Sequence, residues 1–268
     1  MIPYAFKYHR VTSLADAQAL FAKSPEAKFL AGGQTLIPTM KQRLANPPEL
    51  IDISAIADLD FVRLSDDKLV IGAGVRHGDV AASKDVMSAI PALGELAHTI
   101  GDPAVRAVGT LGGSIANNDP AADYPAAALG LGATIVTTKR SIAADDYFTG
   151  MFETALEDGE IVTEVSFPIP ARAGYAKFYN PASRYAMVGV FVADFGSTAR
   201  VAVTGAAPCV FRVNSMEAAL TKSFATQAIE TITIAADNMN SDLHGSAEYR
   251  AHLVSVMAKR AVQNALNR

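Results

Sequence analysis

The stretch TLGGSIANNDPAADYP, residues 110–125, contains the features on which the interpretation of the whole chain depends. Gly112 and Gly113 are adjacent, and residues without a side chain let a backbone approach a ligand closely or adopt a positive φ. Successive N–H groups in such a turn can form a concave anion site, called a nest. Two acids follow, Asp119 and Asp123. The stretch therefore indicates either a ligand-binding loop or a plain tight turn.

A second glycine pair lies upstream in AGGQT, residues 31–35, directly after the short apolar run Lys28-Phe29-Leu30. A helix is predicted to start at this turn, because Pro38 is tolerated in a first helical turn. The order strand, glycines, helix places backbone N–H groups where a phosphate is favoured. Neither glycine pair supplies the G-x-G-x-x-G of a Rossmann fingerprint, so that explanation is excluded.

Composition places the chain among ordinary globular proteins. Half of its 268 residues are hydrophobic and 19% are charged, with a formal net charge of −4. No long basic block provides the electrostatic surface that nucleic-acid binding requires. Cys209 is the single cysteine, so the chain cannot by itself ligate an iron–sulfur cluster through thiolates or build a disulfide framework. We expect Cys209 to be a buried apolar residue rather than a reactive thiol.

The sequence carries no targeting or membrane signal that we can identify. The first ten residues, MIPYAFKYHR, lack the apolar region of a secretory signal. The longest uncharged apolar stretch, 124–138, is shorter than the ~20 residues that a membrane helix needs. We therefore expect a cytoplasmic protein without a transmembrane segment.

Hydrophobic periodicity predicts an α+β fold in two parts. Helices are predicted at 14–21, 36–44, 77–87, 90–97, 125–131, 217–220, 225–238 and 249–266. Strands are predicted at 28–31, 49–53, 69–73, 133–138, 160–167, 175–179, 188–195 and 199–205. Pro168, Pro170 and the run 171–174 end the first part, so we place a domain boundary at 172/173. Short turns in the second part favour an antiparallel sheet.

Several side chains have both a binding and a purely structural interpretation. Asp123 precedes a predicted helix and could cap it, and Asp119 precedes Pro120 and could form a turn. Tyr185 could be a core aromatic residue or a ligand contact, and Arg184 could serve an ion pair or a phosphate. The five histidines show no metal-ligand spacing. His77 is expected at the surface, with a position near the bound ligand as the alternative. No residue is assigned a catalytic or metal-binding role.

Three segments resemble one known family. AGGQTLIPTMK (31–41), TLGGSIANNDPAADYPAA (110–127) and KFYNPASRYAMVGV (177–190) are similar to the FAD-binding medium subunits of molybdenum hydroxylases, whose members include the carbon monoxide dehydrogenase medium subunit and the flavin portion of xanthine dehydrogenase. The similarity continues to SDLHGSAEYRAHL (241–253). It implies the two-subdomain FAD-binding fold of molybdopterin dehydrogenases in residues 1–172, divided near 55/56. It also implies a C-terminal domain at 173–268.

The resemblance also implies a set of FAD-binding residues. Two glycine segments would hold the pyrophosphate, Asp123 would bind the ribose or adenine side, and Tyr185 would lie near the isoalloxazine ring. The implied set is Lys28, Leu30, Ala31, Gly32, Gly33, Gln34, Thr35, Leu36, Thr110, Gly112, Gly113, Ser114, Asp123 and Tyr185. Family members often have His or Asn where this chain has Gln34 and Ser114. Both replacements keep a polar group, so we expect binding to survive.

The function implied by the resemblance is electron transfer. Molybdenum-pterin would reside on a large partner subunit and [2Fe-2S] clusters on a small one, in a dimer of heterotrimers. Electrons would reach FAD in this chain and leave to an external acceptor, for which quinone, NAD and oxygen all remain open. Two other classes remain possible from the sequence: a self-sufficient flavin oxidase or reductase, and a flavin-free scaffold subunit.

Overall fold

A computed structural model of the chain describes residues 2–268. The strands in this range are β1 (Lys7–Arg10), β2 (Lys28–Leu30), β3 (Glu49–Asp52), β4 (Val62–Ser65), β5 (Lys68–Gly72), β6 (Thr134–Thr137), β7 (Ser141–Ala143), β8 (Phe148–Gly150), β9 (Glu153–Thr154), β10 (Val162–Pro168), β11 (Arg172–Tyr179), β12 (Ala186–Asp194), β13 (Ala199–Thr204) and β14 (Phe211–Arg212). The α-helices are α1 (Leu14–Lys23), α2 (Leu36–Lys41), α3 (His77–Ala82), α4 (Lys84–Ala89), α5 (Pro91–His98), α6 (Pro103–Arg106), α7 (Leu111–Asn117), α8 (Tyr124–Leu131), α9 (Ala144–Tyr147), α10 (Asn214–Lys222) and α11 (Ala247–Leu266).

The first sheet is small and parallel, with strand order β1-β3-β2. Parallel neighbours need a crossover connection, and α1 and α2 provide the two crossovers. The hydroxyl of Ser13 caps α1 by accepting a hydrogen bond from the Asp16 N–H at 3.1 Å. Because β2 and β3 run in the same direction, the glycine loop after β2 and the residues after β3 emerge at the same edge.

Three antiparallel sheets follow within residues 2–268. One has strand order β4-β5-β10-β6-β7, the second has strand order β11-β12-β13-β14, and the third is the two-stranded pair β8-β9. The largest hydrophobic core contains Tyr124 and Phe167 from the first part together with Tyr175 and Phe191 from the second. This core runs across the predicted boundary at 172/173, which stays a prediction, as does the subdomain division near 55/56. Met1 lies outside the described residues.

The long C-terminal helix covers the last sheet. Helix α11 packs on β11 and β12, and its buried face includes Val254, Met257 and Ala261. The closest approach is at Gly174, where an added Cβ would lie 2.0 Å from the Ala261 carbonyl oxygen. No helix within residues 2–268 combines the length and apolar character needed to cross a bilayer.

Three local predictions are wrong. The predicted helix 77–87 is two helices, since Ser83 interrupts it and caps α4 through the Val86 N–H at 3.4 Å. The predicted helix 225–238 is only a 3₁₀ turn at Thr226–Ile229 followed by irregular chain. Its alternating Thr and Ile residues are β-branched, which lowers helix propensity. Gly112 and Gly113 do not form a loop; they lie in the first turn of α7.

Candidate functional site

All fourteen predicted binding residues line one cavity. Its volume is about 940 Å³, and its walls come from the glycine segment after β2, the segment around α7 and the loop between β11 and β12. These segments are far apart in sequence, so the folded chain brings them together. Their location at one cavity is an observation, whereas their role toward a cofactor stays a prediction.

The first glycine segment carries free backbone donors. Gly33 has φ +66°, the left-handed region in which glycine is favoured. Within residues 2–268, the N–H groups of Gly33, Gln34, Thr35 and Leu36 have no hydrogen-bond acceptor. Four consecutive unpaired donors at the cavity wall form a site suited to an anion. Sequence reasoning proposed this arrangement for both glycine segments, and it is present in the first.

The second glycine segment uses its donors internally. The Gly112 N–H binds the Ala73 carbonyl at 2.9 Å, and the Ser114 N–H binds the Thr110 carbonyl at 3.0 Å. Thr110 caps α7 through its hydroxyl oxygen, which accepts the Gly113 N–H at 3.1 Å. The prediction of a free nest at Gly112 and Gly113 is therefore wrong. What this segment offers the cavity is the hydroxyl groups of Thr110 and Ser114 and the open surface of Gly113.

Gly32 and Gly112 allow their segments to pack closely against neighbouring parts of the chain. A Cβ added at Gly32 would lie 2.3 Å from the Val108 carbonyl oxygen, and one added at Gly112 would lie 2.4 Å from the Ala73 Cβ. Real Cβ atoms do not approach other atoms this closely. A Cβ added at Gly113 would lie 4.0 Å from the Ala31 Cβ, so α7 and the first segment are neighbours. Gly32 and Gly112 are thus required by packing, before any ligand is considered.

Asp123 holds a buried ion pair. Its carboxylate is 5% exposed and lies 3.0 Å from the Lys177 Nζ, which is 1% exposed and also donates to the Thr99 carbonyl at 3.1 Å. The Tyr175 hydroxyl donates to the same carboxylate. Burial raises the pKa of Asp123, and Lys177 and Tyr175 oppose that rise. Asp123 precedes α8, but its side chain makes no capping hydrogen bond there, so the capping interpretation is wrong.

The loop between β11 and β12 reaches the same cavity. Tyr185 is 45% exposed and lines the cavity, so it is not a core residue. Arg184 lines the cavity too, with φ +61°, and forms no ion pair with any described residue. Asp119 accepts the Ala121 N–H at 2.9 Å, as a turn-forming acid does, and burial raises its pKa.

His77 is buried at the cavity wall, contrary to the predicted surface position. It is 5% exposed, and its ring centroid lies 5.4 Å from that of Tyr124. Burial, together with the nearby Arg106 charge, lowers the pKa of His77 to about 4. The imidazole is therefore neutral at pH 7. Its Nδ1 and the Tyr124 hydroxyl have no hydrogen-bond partner among the described residues.

Three acids that line the cavity were not predicted from the sequence: Asp52, Asp102 and Glu160. Asp52 ends β3, is 8% exposed and lines the cavity beside Ile53 and Ser54. A signal was present, because an acid at the end of the strand after a strand–glycine–helix unit lies next to the glycine loop in a parallel sheet.

Two family models match successive parts of the chain. Residues 4–170 match the model described as the FAD binding domain in molybdopterin dehydrogenase. Residues 175–265 match the model described as the CO dehydrogenase flavoprotein C-terminal domain.

Individual proteins are similar over the full length. The carbon monoxide dehydrogenase medium chain of Hydrogenophaga pseudoflava is 35% identical over 282 residues, covering 99% of this chain and 98% of that one. The glyceraldehyde dehydrogenase medium chain of Sulfolobus acidocaldarius is 33% identical over 281 residues, covering 97% and 98%. A solved structure of carbon monoxide dehydrogenase from Hydrogenophaga pseudoflava, which lacks the Mo-pyranopterin moiety of the molybdenum cofactor, matches with a TM-score of 0.90. It is 36% identical and covers 100% of this chain and 99% of that one.

Proposed function

Because the chain belongs to the family of FAD-binding medium subunits of molybdopterin dehydrogenases, we propose that it is the electron-transfer subunit of a molybdenum hydroxylase. In this proposal it receives electrons from iron–sulfur clusters on a small partner subunit. Those electrons originate at a molybdenum-pterin on a large partner subunit and pass to an external acceptor. The complete assembly is a dimer of such heterotrimers, located in the cytoplasm.

The cavity is suited to FAD in size and in chemistry. Its ~940 Å³ lies at the upper end of the range for small-molecule sites, about 300–1,000 Å³. The four free N–H groups of residues 33–36 are the single observation that carries the proposal, because they are unpaired donors at a cavity wall. Unpaired backbone donors are the groups that hold phosphate oxygens.

The residues of the chain bind and orient the cofactor. The N–H groups of 33–36 hold the pyrophosphate, and the hydroxyls of Thr110 and Ser114 add donors from the facing segment. Tyr185 lies against the flavin end, where aromatic stacking contributes about 0.5–1.5 kcal/mol. FAD itself supplies the redox chemistry when bound, so this chain needs no acid or base of its own.

The experiment asks whether the isolated chain holds FAD and whether it is catalytically incomplete. Acid precipitation of purified protein should release a yellow supernatant with the mass of FAD, because neither glycine segment contains a histidine or cysteine for a covalent link. Flavin retained on the denatured chain would contradict non-covalent binding, and colourless protein that titrates with no flavin would contradict the proposal itself.

The second part of the experiment tests whether hydroxylase activity requires the partner subunits. Cys209 alone cannot ligate a cluster, so the isolated chain should show no hydroxylase activity. Co-expression with the large and small subunits should yield a co-purifying complex in which the flavin is reduced by the hydroxylase substrate. A single chain that oxidises a small substrate by itself would favour the self-sufficient flavin enzyme instead.

A further inference from the structure

Asp52 stands beside the glycine segment for a topological reason. Strands β2 and β3 are parallel neighbours, with Lys28 opposite Leu50 and Leu30 opposite Asp52. Neighbouring strands lie about 4.8 Å apart. Both strands end at the same edge, so the chain that leaves Leu30 toward the free N–H groups starts next to Asp52. Asp52 follows Gly32 by 20 residues in the sequence.

The carboxylate of Asp52 retains acceptor capacity toward the cavity. Its Oδ2 accepts the Tyr8 hydroxyl, and its Oδ1 accepts the Ser54 N–H at 2.9 Å. Burial raises its pKa, but the hydrogen bonds from Tyr8 and Ser54 lower it more, so the pKa lies below its ordinary value and the group is ionised at pH 7. An ionised carboxylate has about four lone-pair sites. The hydrogen bonds from Tyr8 and Ser54 therefore leave acceptor capacity on this carboxylate for a ligand.

The surroundings of Asp52 suit a nucleoside. Leu59, Ile161 and Val162 line the same cavity as Asp52 and are apolar, as a purine base requires. Glu160 also lines the cavity, but its oxygens are occupied by Arg140, Thr137 and the Glu157 N–H. Asp123 is likewise engaged, with Lys177 and Tyr175. Asp52 differs from both, because neither of its carboxylate oxygens forms an ion pair with a Lys or Arg side chain within residues 2–268.

We propose that Asp52 accepts the hydroxyl hydrogens of the adenosine ribose of the bound dinucleotide, and that it thereby favours FAD over flavins lacking the adenosine half. The same division of roles occurs in dinucleotide-binding βαβ units, where an acid at the end of the second strand binds a ribose hydroxyl. Here it arises without the G-x-G-x-x-G sequence. The inference rests on the proposed function, because it assumes that the pyrophosphate lies at residues 33–36.

The test uses the full-length chain freed of flavin and titrated with two ligands. One ligand is FAD, and the other is an FAD analogue whose adenosine ribose lacks both hydroxyls. The parent should bind the analogue about tenfold more weakly than FAD, since a hydrogen bond to a charged acceptor is lost. Asp52→Asn should bind FAD about tenfold more weakly than the parent and should discriminate less between the two ligands.

Two further variants separate a ligand contact from a structural effect. Glu49→Gln removes an acid from the same strand whose carboxylate binds the outward side chains of Lys7 and His9, so its FAD affinity should equal that of the parent. Tyr8→Phe removes the hydroxyl on Oδ2 and leaves the carboxylate, so its discrimination between the ligands should persist.

The outcomes distinguish the two proposals. A parent that binds FAD and the analogue equally overturns the role of Asp52 while leaving the proposed function intact. Loss of discrimination in Tyr8→Phe as large as in Asp52→Asn also overturns it. A parent that binds neither ligand refutes the proposed function itself.

Discussion

The buried ion pair between Lys177 and Asp123 gives a quantitative prediction for the thermal stability of the chain. Both side chains are almost fully buried, and their charged atoms lie 3.0 Å apart between α8 and β11. In Lys177→Met the aliphatic volume is largely kept, but the Asp123 carboxylate loses its cation. Only the Tyr175 hydroxyl remains as its partner. The Thr99 carbonyl also loses the hydrogen bond that it accepts from the Lys177 Nζ.

Removing one member of a buried ion pair costs about 3–5 kcal/mol, because the remaining charge stays buried without compensation. For a chain of this size, each kcal/mol corresponds to a fall in Tm of about 2–4 °C. We therefore expect Lys177→Met to lower the Tm of the flavin-free chain by about 6–20 °C at pH 7. The double variant Asp123→Leu with Lys177→Met removes both charges and should recover most of that loss.

The stability loss caused by Lys177→Met should also depend on pH in a direction that can be worked out. Without Lys177 the pKa of Asp123 rises further above its unfolded value, so the native state binds a proton more readily than the unfolded state does. The stability deficit of Lys177→Met should consequently be full at high pH and should shrink as the pH falls through the folded pKa. The measurement is thermal unfolding of parent, single and double variants from pH 4 to 8.

Two results would refute this reasoning. One is a Lys177→Met chain that unfolds within about 1 °C of the parent at pH 7. The other is a double variant that is less stable than the single one, which would mean that shape rather than charge decides the effect. Asp123→Asn should likewise lower the stability of the flavin-free chain, because Lys177 would then be the uncompensated buried charge.

Two further predictions concern the cavity wall. Gly32→Ala places a Cβ 2.3 Å from the Val108 carbonyl oxygen and should weaken FAD binding about tenfold or more. Its control is Gly150→Ala, whose Cβ would meet only the flexible Glu153 side chain, at 2.9 Å from Oε2. Equal losses of FAD affinity in both variants would contradict the packing argument. The pKa of His77 is lowered to about 4, so the unfolding free energy should fall by about 3 kcal/mol as the pH drops from 6.5 to 4. His77→Gln should flatten that dependence, and parallel pH curves for parent and variant would contradict it.

Most of the element pattern was predictable from local sequence. The strand at 28–31, the helix ending at Leu266 and the antiparallel character of the C-terminal sheet are confirmed by the structure. These follow from hydrophobic periodicity and turn residues, which act over a few residues. The α+β fold, the presence of a C-terminal domain and the family resemblance are confirmed by the two family models and the solved structure.

The sequence by itself determined which segments carry the candidate site, because glycine pairs and polar residues mark them without reference to their neighbours. The tertiary structure decided what each residue does there. Gly112 and Gly113 have the same local pattern as Gly32 and Gly33, but their N–H groups meet Ala73 and Thr110 rather than open space. The local sequence around Asp123 is typical of a helix cap, but its carboxylate forms an ion pair with Lys177, 54 residues away. Hydrogen-bond partners and burial depend on chain segments distant in sequence, and only folding brings those segments together.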